Sequence, residues 1–289
     1  MAEADQQTTR AVTREYKRQR LEHDTGLELY FAREPLPPYE PVRVFQHTMK
    51  TGGTSLRALI YYNVSRVAEY EPREIAKISR DLHGLYADVY GRLTPEQRAR
   101  LTWAISHHAA YLIPHVERPV RGLTIAREPV DRALSRYWFA VSNPQLRTLE
   151  TLRTLFEHGG VVDSKIQRYE YVNPQSRWLL GPHFDLTQLS ATAGPPHDGD
   201  LWLERLTRLL DETYEFVFVQ GRLNEAMVDL ARRWGWAAAT PIFRRSGARP
   251  AVDDLDDELR ELISAYNWLD VELYRYALAR ADRAPEEIA

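Results

Sequence analysis

The chain has 289 residues, a formal net charge of −3 and a sequence pI near 6.3. No long basic stripe accompanies that charge, so the composition argues against a nucleic-acid-binding protein. The chain contains no cysteine, which excludes disulfides and thiolate metal sites. No apolar segment follows Met1 as in a signal peptide, and no run approaches ~20 apolar residues. We therefore expect a cytoplasmic protein without a membrane anchor.

Residues 1–40 differ from the rest of the chain. They are charged, rich in Arg, Glu and Gln, and end in the proline-dense segment REPLPPYEP. This composition predicts an N-terminal arm and stiff linker over 1–40, followed by one domain over 41–289. The arm is interpreted as a disordered tail, an amphipathic helix on the domain or a contact in a homo-oligomer, and ordering on contact with the domain or a partner subunit is favoured.

The most informative stretch runs from Val42 to Leu59, VRVFQHTMKTGGTSLRAL. Its β-forming start predicts a strand, and the apolar spacing after Thr54 predicts a helix. Between them, the two glycines at 52–53 allow a sharp turn whose N–H groups can point at an anion, with Lys50 adding a positive charge. Lys50 precedes both glycines, whereas the ATP-binding P-loop has its Lys after the last one, so a kinase fits poorly. The alternative is a structural Gly-Gly turn before an N-cap Thr.

A second stretch, Gly122 to Phe139, repeats the strand-then-helix pattern. Pro129 suits a first helical turn, and Arg127 stands where the strand ends. Ser135 lies about two turns along the helix. A guanidinium and a hydroxyl in these positions could hold a second phosphate by charge-assisted hydrogen bonds. A surface Arg and a solvated Ser are the alternative.

Strands and helices alternate along the remainder of the chain, which predicts an α/β domain with a mainly parallel sheet. Further strands are predicted at Leu101–Ser106 and Tyr214–Val219. Helices are predicted at 73–82, 146–158, 200–212, 224–234 and 256–281. Ligands of such sheets bind outside the carboxyl ends of the strands, where both motifs fall.

The pair H-x-x-K-T-G-G-T-S-L and R-E-P-V-D-R-x-L-S-x-Y-x-F resembles the sulfotransferases that use 3′-phosphoadenosine 5′-phosphosulfate (PAPS), in particular the heparan sulfate 2-O-sulfotransferase-like carbohydrate branch with its bacterial members. Met49 replaces a usual Pro, and Glu128 replaces a frequent Asp. The resemblance implies a P-loop-like three-layer α/β/α fold. It implies that the 5′-phosphosulfate is bound by Lys50, Thr51, Gly52, Gly53, Thr54 and Ser55, and the 3′-phosphate by Arg127 and Ser135.

Other segments extend the resemblance in the same order as in the family. Ser106 to Tyr111 resembles the block that carries the catalytic base, and aligning Tyr111 selects His108 for that role. A neutral imidazole with a pKa near ~6.5 suits a base that works close to pH 7. His107, a carboxylate elsewhere, or a purely structural histidine pair remain alternatives. His47, which opens the glycine loop, either orients it or packs beneath it.

Two more segments resemble conserved parts of the family. Asn173 to Arg177 resembles an N-x-Q-[ST]-R segment. A basic loop resembles the one that closes over the nucleotide and contributes Arg244, Arg245, Ser246 and Arg249. Three guanidiniums there could clamp phosphates, and a solvated loop is the alternative.

The resemblance implies an O-sulfotransferase that uses PAPS. No metal is expected, because the histidines show no ligand spacing. Lys50 would stabilise the leaving phosphate and His108 would accept the acceptor's proton. The acceptor is a hydroxyl-bearing small molecule or saccharide, with carbohydrate favoured by the resemblance alone. Alternatives are O-sulfation of a phenolic or lipid-like natural product, a P-loop-type nucleotide kinase, and an inactive nucleotide-binding protein. A bacterial, cytoplasmic location is expected, because the chain lacks the anchor and cysteines of the Golgi enzymes.

Overall fold

A computed structural model describes most of the chain, and its strands form one six-stranded sheet. The described residues are 27–65, 67–73, 82–141, 147–157, 171–181, 193–237 and 249–282. The strands are β1 (Leu27–Ala32), β2 (Val42–Gln46), β3 (Ala68–Arg73), β4 (Leu101–Ser106), β5 (Val120–Ala126) and β6 (Tyr214–Val219).

Helices surround this sheet. The α-helices are α1 (Gly53–Val64), α2 (Leu82–Gly91), α3 (Pro95–Arg100), α4 (Pro129–Ala140), α5 (Leu149–Glu157), α6 (Pro174–Leu180), α7 (Gly199–Thr213), α8 (Leu223–Arg233), α9 (Asp257–Tyr266) and α10 (Trp268–Ala281). Short 3₁₀ helices span Ala109–His115, Gln220–Arg222 and Val252–Asp254. Among the described helices, none is both long enough and apolar enough to span a membrane.

The strand order is β3-β1-β4-β2-β5-β6. Strands β4, β2, β5 and β6 run parallel, whereas β1 is antiparallel to both β3 and β4. The chain therefore forms a mixed α/β fold with a mostly parallel sheet, as predicted. Along the chain, β2 is followed by β4, which pairs with one side of β2. The later strands β5 and β6 lie on the other side of β2. The connections diverge between β2 and β5, and such a divergence opens a ligand crevice at the carboxyl ends of the strands.

Helices pack on both faces of the sheet because buried side chains alternate along the strands. Phe45 contributes to a core with Leu59 of α1 and Met227 of α8. The adjacent Val44 points to the opposite face, where Tyr86 of α2 and the 3₁₀ helix Ala109–His115 pack. Helices α6, α7 and α10 continue that second layer over β6. Val42, Val44 and Phe45 of β2 are therefore all buried, as in parallel strands that helices cover on both faces.

Strand β1 corrects the boundary placed at residue 40. Leu27–Ala32 falls within the predicted arm, yet it forms an inner strand of the sheet with Leu27 and Tyr30 fully buried. The proline-dense linker is also attached to the domain: the Leu36 amide donates to the carbonyl of Ala99, and Arg118 Nε donates to the carbonyl of Glu40. The folded domain thus includes residue 27 onward, and residues 1–26 lie outside the described part.

The helix predictions differ from the structure mainly at their ends. The single helix predicted over 256–281 is divided into α9 and α10 at Asn267, whose side chain donates to the carbonyl of Ile263 and accepts from the amide of Asn173. The helix predicted over 73–82 falls mostly on residues outside the described part, and Arg73 itself belongs to strand β3.

Candidate functional site

The glycine loop between β2 and α1 has the backbone conformation that its glycines suggest. Gly52 has φ of 91°, and Lys50 also adopts a positive φ of 67°. The Thr51 hydroxyl donates to the carbonyl of Thr48 over 2.8 Å, which closes the turn. Gly52 is the N-cap of α1, so no side chain caps that helix, and its first turn contains no acidic residue. The N-terminal amides of α1 therefore retain their attraction for an anion.

Gly53 is required by a close contact with His47. A Cβ on Gly53 would lie 2.1 Å from His47 Cδ2, well inside the distance at which two carbon atoms clash. His47 is buried, and its ring stacks on Phe45 with the ring centroids 5.6 Å apart. The imidazole therefore packs directly against the start of α1 and has little freedom to move aside.

We expect Gly53→Ala to destabilise the fold by about 1–3 kcal/mol, the usual cost of overpacking. The added methyl group must displace the His47 ring and with it the start of α1. Urea denaturation of wild type and variant measures the cost. Gly91→Ala is the matched control, because a Cβ at Gly91 meets nothing within 4 Å. Equal stability of Gly53→Ala and wild type would contradict the contact.

Lys50 projects from the loop towards the last turn of α4. Its Nζ lies 4.2 Å from the centroid of the Phe139 ring, in a cation–π contact. Phe139 is 61% exposed, and Arg136 approaches the same ring at 5.8 Å. The mouth of the site therefore combines an open aromatic surface with two positive charges.

Arg127 brings the two predicted phosphate segments together. It follows β5, and its Nη1 donates to the carbonyl of Lys50 over 2.7 Å. Its Nε and Nη2 reach Asp131 Oδ2 at 2.8 and 2.7 Å. Burial lowers the pKa of Arg127, and the Asp131 carboxylate opposes that shift. The guanidinium thus stays charged in the crevice between β2 and β5.

The hydroxyl residues of the predicted site are placed differently from one another. Thr51 is fully buried and its hydroxyl is used within the loop, so only its backbone remains for a ligand. Thr54 is exposed and Ser55 half-buried on the first turn of α1, and Ser135 is half-buried on α4. These three residues lie on the two helices that flank the crevice.

The adjacent histidines after β4 have different surroundings. His107 Nδ1 contacts the carbonyl of His47, and the two rings lie 4.4 Å apart. The His108 ring lies 5.2 Å from Trp178 and 6.2 Å from Tyr111, and its buried Nδ1 has no hydrogen-bond partner among the described residues. Of the pair, His107 is therefore the one in contact with the glycine-loop region, through His47.

Burial lowers the pKa of His108 to about 4, and the charge of His107 adds to the shift. His108 is consequently neutral at pH 7, and the same shift makes it a weaker base than an ordinary imidazole, so its burial counts against the predicted role. Its folded pKa is lower than the unfolded value near 6.5, so the unfolded chain binds the extra proton first as pH falls. The contribution of His108 to the free energy of unfolding is therefore constant above pH ~6.5 and decreases as pH falls from ~6.5 towards 4.

This linkage predicts that wild type loses about 2 kcal/mol of stability between pH 7 and pH 5 through His108 alone. His108→Gln should lack that component, so the unfolding free energy of wild type minus that of the variant should fall by about 2 kcal/mol from pH 7 to pH 5. Urea denaturation at both pH values measures it. A difference that is independent of pH would show that His108 titrates normally.

Only one residue of the predicted basic loop lies in the described part. Arg249 forms an ion pair with Asp131 through Nη2, whereas Arg244, Arg245 and Ser246 lie outside the described residues. Arg249 therefore joins Arg127 at one carboxylate, at the start of α4. Sequence reasoning assigned no role to Asp131, and its spacing of four residues from Arg127 is the signal that could have found it.

The N-x-Q-S-R segment holds the backbone of Arg127 in place through a side chain. Gln175 accepts from the Arg127 amide at 2.8 Å and donates to the Arg127 carbonyl at 2.9 Å. Asp270, fully buried on α10, accepts in turn from the amides of Gln175 and Ser176. This segment therefore holds the end of β5 in place and does not itself form the open surface of the crevice.

The N-terminus of α4 contrasts with that of α1. Glu128 is its N-cap, and the carboxylate accepts from the amides of Val130 and Asp131 at 3.0 and 2.6 Å. A carboxylate in this position neutralises the helix end. An anion in the crevice would therefore meet the start of α1, which no side chain caps, and the guanidiniums beside α4.

Comparison of the chain with protein-family models gives no match, and a search of curated proteins gives none either. The geometry described above is therefore the basis for any functional argument. Within the described ranges, no group of three or more His, Asp or Glu side chains is placed to hold a metal ion.

Proposed function

We propose that this protein is a P-loop-like enzyme that transfers the sulfuryl group of PAPS to a hydroxyl acceptor. The hydrogen bond from Arg127 to the Lys50 carbonyl is the observation that supports this most. It joins two segments, 77 residues apart in sequence, that resemble the 5′- and 3′-phosphate sites of one nucleotide. A nucleotide with phosphates at both positions needs these groups in a single crevice.

The charges along the crevice suit such a nucleotide. The uncapped amides of α1 would bind the 5′-phosphosulfate together with Lys50 and the hydroxyls of Thr54 and Ser55. Arg127, Arg249 and Ser135 would bind the 3′-phosphate, because guanidinium forks match phosphate oxygens. Arg244, Arg245 and Ser246 would add to phosphate binding under this proposal, although they lie outside the described residues.

The residues divide the chemistry between them. PAPS supplies an activated sulfuryl group whose transfer is an in-line displacement at sulfur. Lys50 would stabilise the negative charge on the phosphate oxygen released as the S–O bond breaks. His108, neutral at pH 7, would take the proton of the acceptor hydroxyl as the new O–S bond forms. The main work of the protein is positioning, with the oxygen nucleophile and the leaving group on opposite sides of sulfur.

The acceptor approaches beside Phe139 under this proposal. Its exposed ring stands next to Lys50, where a flat apolar surface can pack on a sugar face or a phenol. Carbohydrate is favoured by the resemblance, and phenolic or lipid-like natural products are the second class. A nucleotide kinase fits less well, because Lys50 precedes the glycines.

Labelled PAPS offered with saccharide, phenol and long-chain alcohol panels tests the proposal. We expect labelled sulfate to appear on one acceptor class, with stoichiometric release of adenosine 3′,5′-bisphosphate. Loss of transfer in Lys50→Ala and His108→Gln would assign the turnover to this site. Binding of the bisphosphate without transfer to any class would contradict the enzyme assignment and support an inactive nucleotide-binding protein.

A further inference from the structure

We propose that Asp131 is a positioning residue that makes the protein selective for nucleotides carrying a 3′-phosphate, by holding Arg127 and Arg249 as a preassembled pair. This inference rests on the proposed function, since it concerns the same nucleotide site. Asp131 lies in the first turn of α4, one turn after Arg127. It is a carboxylate between two guanidiniums, so it acts on the ligand through them.

The two carboxylate oxygens of Asp131 are divided between the two arginines. Oδ2 accepts from Nε and Nη2 of Arg127, and Oδ1 accepts from Nη2 of Arg249. Arg127 precedes α4 and lies four residues before Asp131, whereas Arg249 is 118 residues away from Asp131 in sequence. The carboxylate therefore fixes the relative positions of two cations from distant parts of the chain.

The cluster is accessible to a ligand and retains net positive charge. The side chains of Arg127, Asp131 and Arg249 are 12%, 24% and 25% exposed. Two guanidiniums and one carboxylate leave one unit of positive charge. Glu128 accepts from the amides of Val130 and Asp131 and remains a further negative charge near Arg127. A phosphate that reaches the cluster therefore meets arginines already in place.

Preassembly matters because arginine side chains lose rotamer freedom when they bind a phosphate. With Asp131 present, part of that loss has already occurred in the folded protein. The cost is repulsion between the Asp131 carboxylate and the phosphate, which two guanidiniums outweigh. A nucleotide without a 3′-phosphate makes no use of the pair, so its affinity should not depend on Asp131.

The test is calorimetric titration of adenosine 3′,5′-bisphosphate and adenosine 5′-phosphate into wild type and Asp131→Asn. We expect the variant to bind the bisphosphate about tenfold more weakly, the size expected for charge-assisted hydrogen bonds. Affinity for the 5′-phosphate should stay within about twofold. Asp131→Glu, which keeps the charge, should recover part of the selectivity. Asp88→Asn removes an exposed Asp–Arg ion pair on α2 and should change neither affinity.

The outcomes separate this inference from the proposed function. Failure of wild type to bind the bisphosphate would overturn both. A wild type that binds it, together with an Asp131→Asn variant of unchanged selectivity, would overturn the inference alone. Tighter bisphosphate binding by Asp131→Asn would show that the carboxylate competes with phosphate. An equal loss of affinity for both nucleotides would show that Asp131 has a merely structural role. Either result would contradict the inference.

Discussion

Replacing Lys50 with alanine is expected to lower kcat by about 10²–10³-fold, the range observed when one donor to a developing negative charge is removed. Lys50 sits at the turn of the glycine loop, with its ammonium at the mouth of the crevice. Its charge is needed most when the bond from sulfur to the phosphate oxygen breaks. The effect should therefore fall on kcat more than on the KM for PAPS.

Steady-state transfer from labelled PAPS at saturating acceptor measures this effect. Arg121→Ala is the control, since Arg121 is an exposed cation at the amino end of β5, whereas the glycine loop follows the carboxyl end of the neighbouring parallel strand β2. It should stay within a few tenths of a kcal/mol of wild type in stability, and its kcat should be unchanged. A Lys50→Ala variant with normal kcat and a raised KM would mean that Lys50 only binds the nucleotide.

Asp270→Asn is expected to destabilise the protein by about 3–5 kcal/mol, the cost of leaving a buried charge without its partner. Burial raises the pKa of Asp270, and the charge of Arg132 opposes that shift. Arg132 is itself almost completely buried, and burial lowers its pKa to about 10. Removing the carboxylate takes away the negative charge that acts on this guanidinium and an anionic acceptor from the amides of Gln175 and Ser176.

Urea denaturation gives the stability of Asp270→Asn relative to wild type. Asp253→Asn is the matched control: Asp253 is exposed, and we expect its replacement to cost less than about 0.5 kcal/mol. The loss at Asp270 should extend to the site, because Gln175 holds the backbone of Arg127. A variant with wild-type stability would mean that the buried network around α6 contributes little.

Much of the fold could be predicted from the sequence where the local signal is strong. The predicted strands Leu101–Ser106 and Tyr214–Val219 match β4 and β6 because each is an apolar run bounded by helices. Strands β1 and β3 were not predicted, because their local sequence signal is weak. LELYFA follows a charged region and precedes prolines, and AEYEPR contains charges and a proline, so pairing with neighbouring strands outweighs their local composition.

The sequence predicts the two segments that form the candidate site, but it does not predict the contacts between their side chains and the rest of the chain. A Gly-Gly turn and an Arg after a strand each carry a local signature, so the sequence suggested that Lys50 and Arg127 face one ligand. The pairing of Asp131 with Arg249 and the packing of His47 on Gly53 depend on how distant parts of the chain meet. Such contacts have no signature in a single sequence, because folding determines which buried polar groups become neighbours.

The most direct test of the account is calorimetric titration of adenosine 3′,5′-bisphosphate into wild type, Lys50→Ala and Arg127→Ala, with ATP and magnesium as the control ligand. We predict micromolar binding to wild type, weaker binding to both variants and no binding of ATP. Absence of bisphosphate binding, or preference for ATP with magnesium, would contradict the sulfotransferase assignment and leave the glycine loop with a kinase-like or structural role.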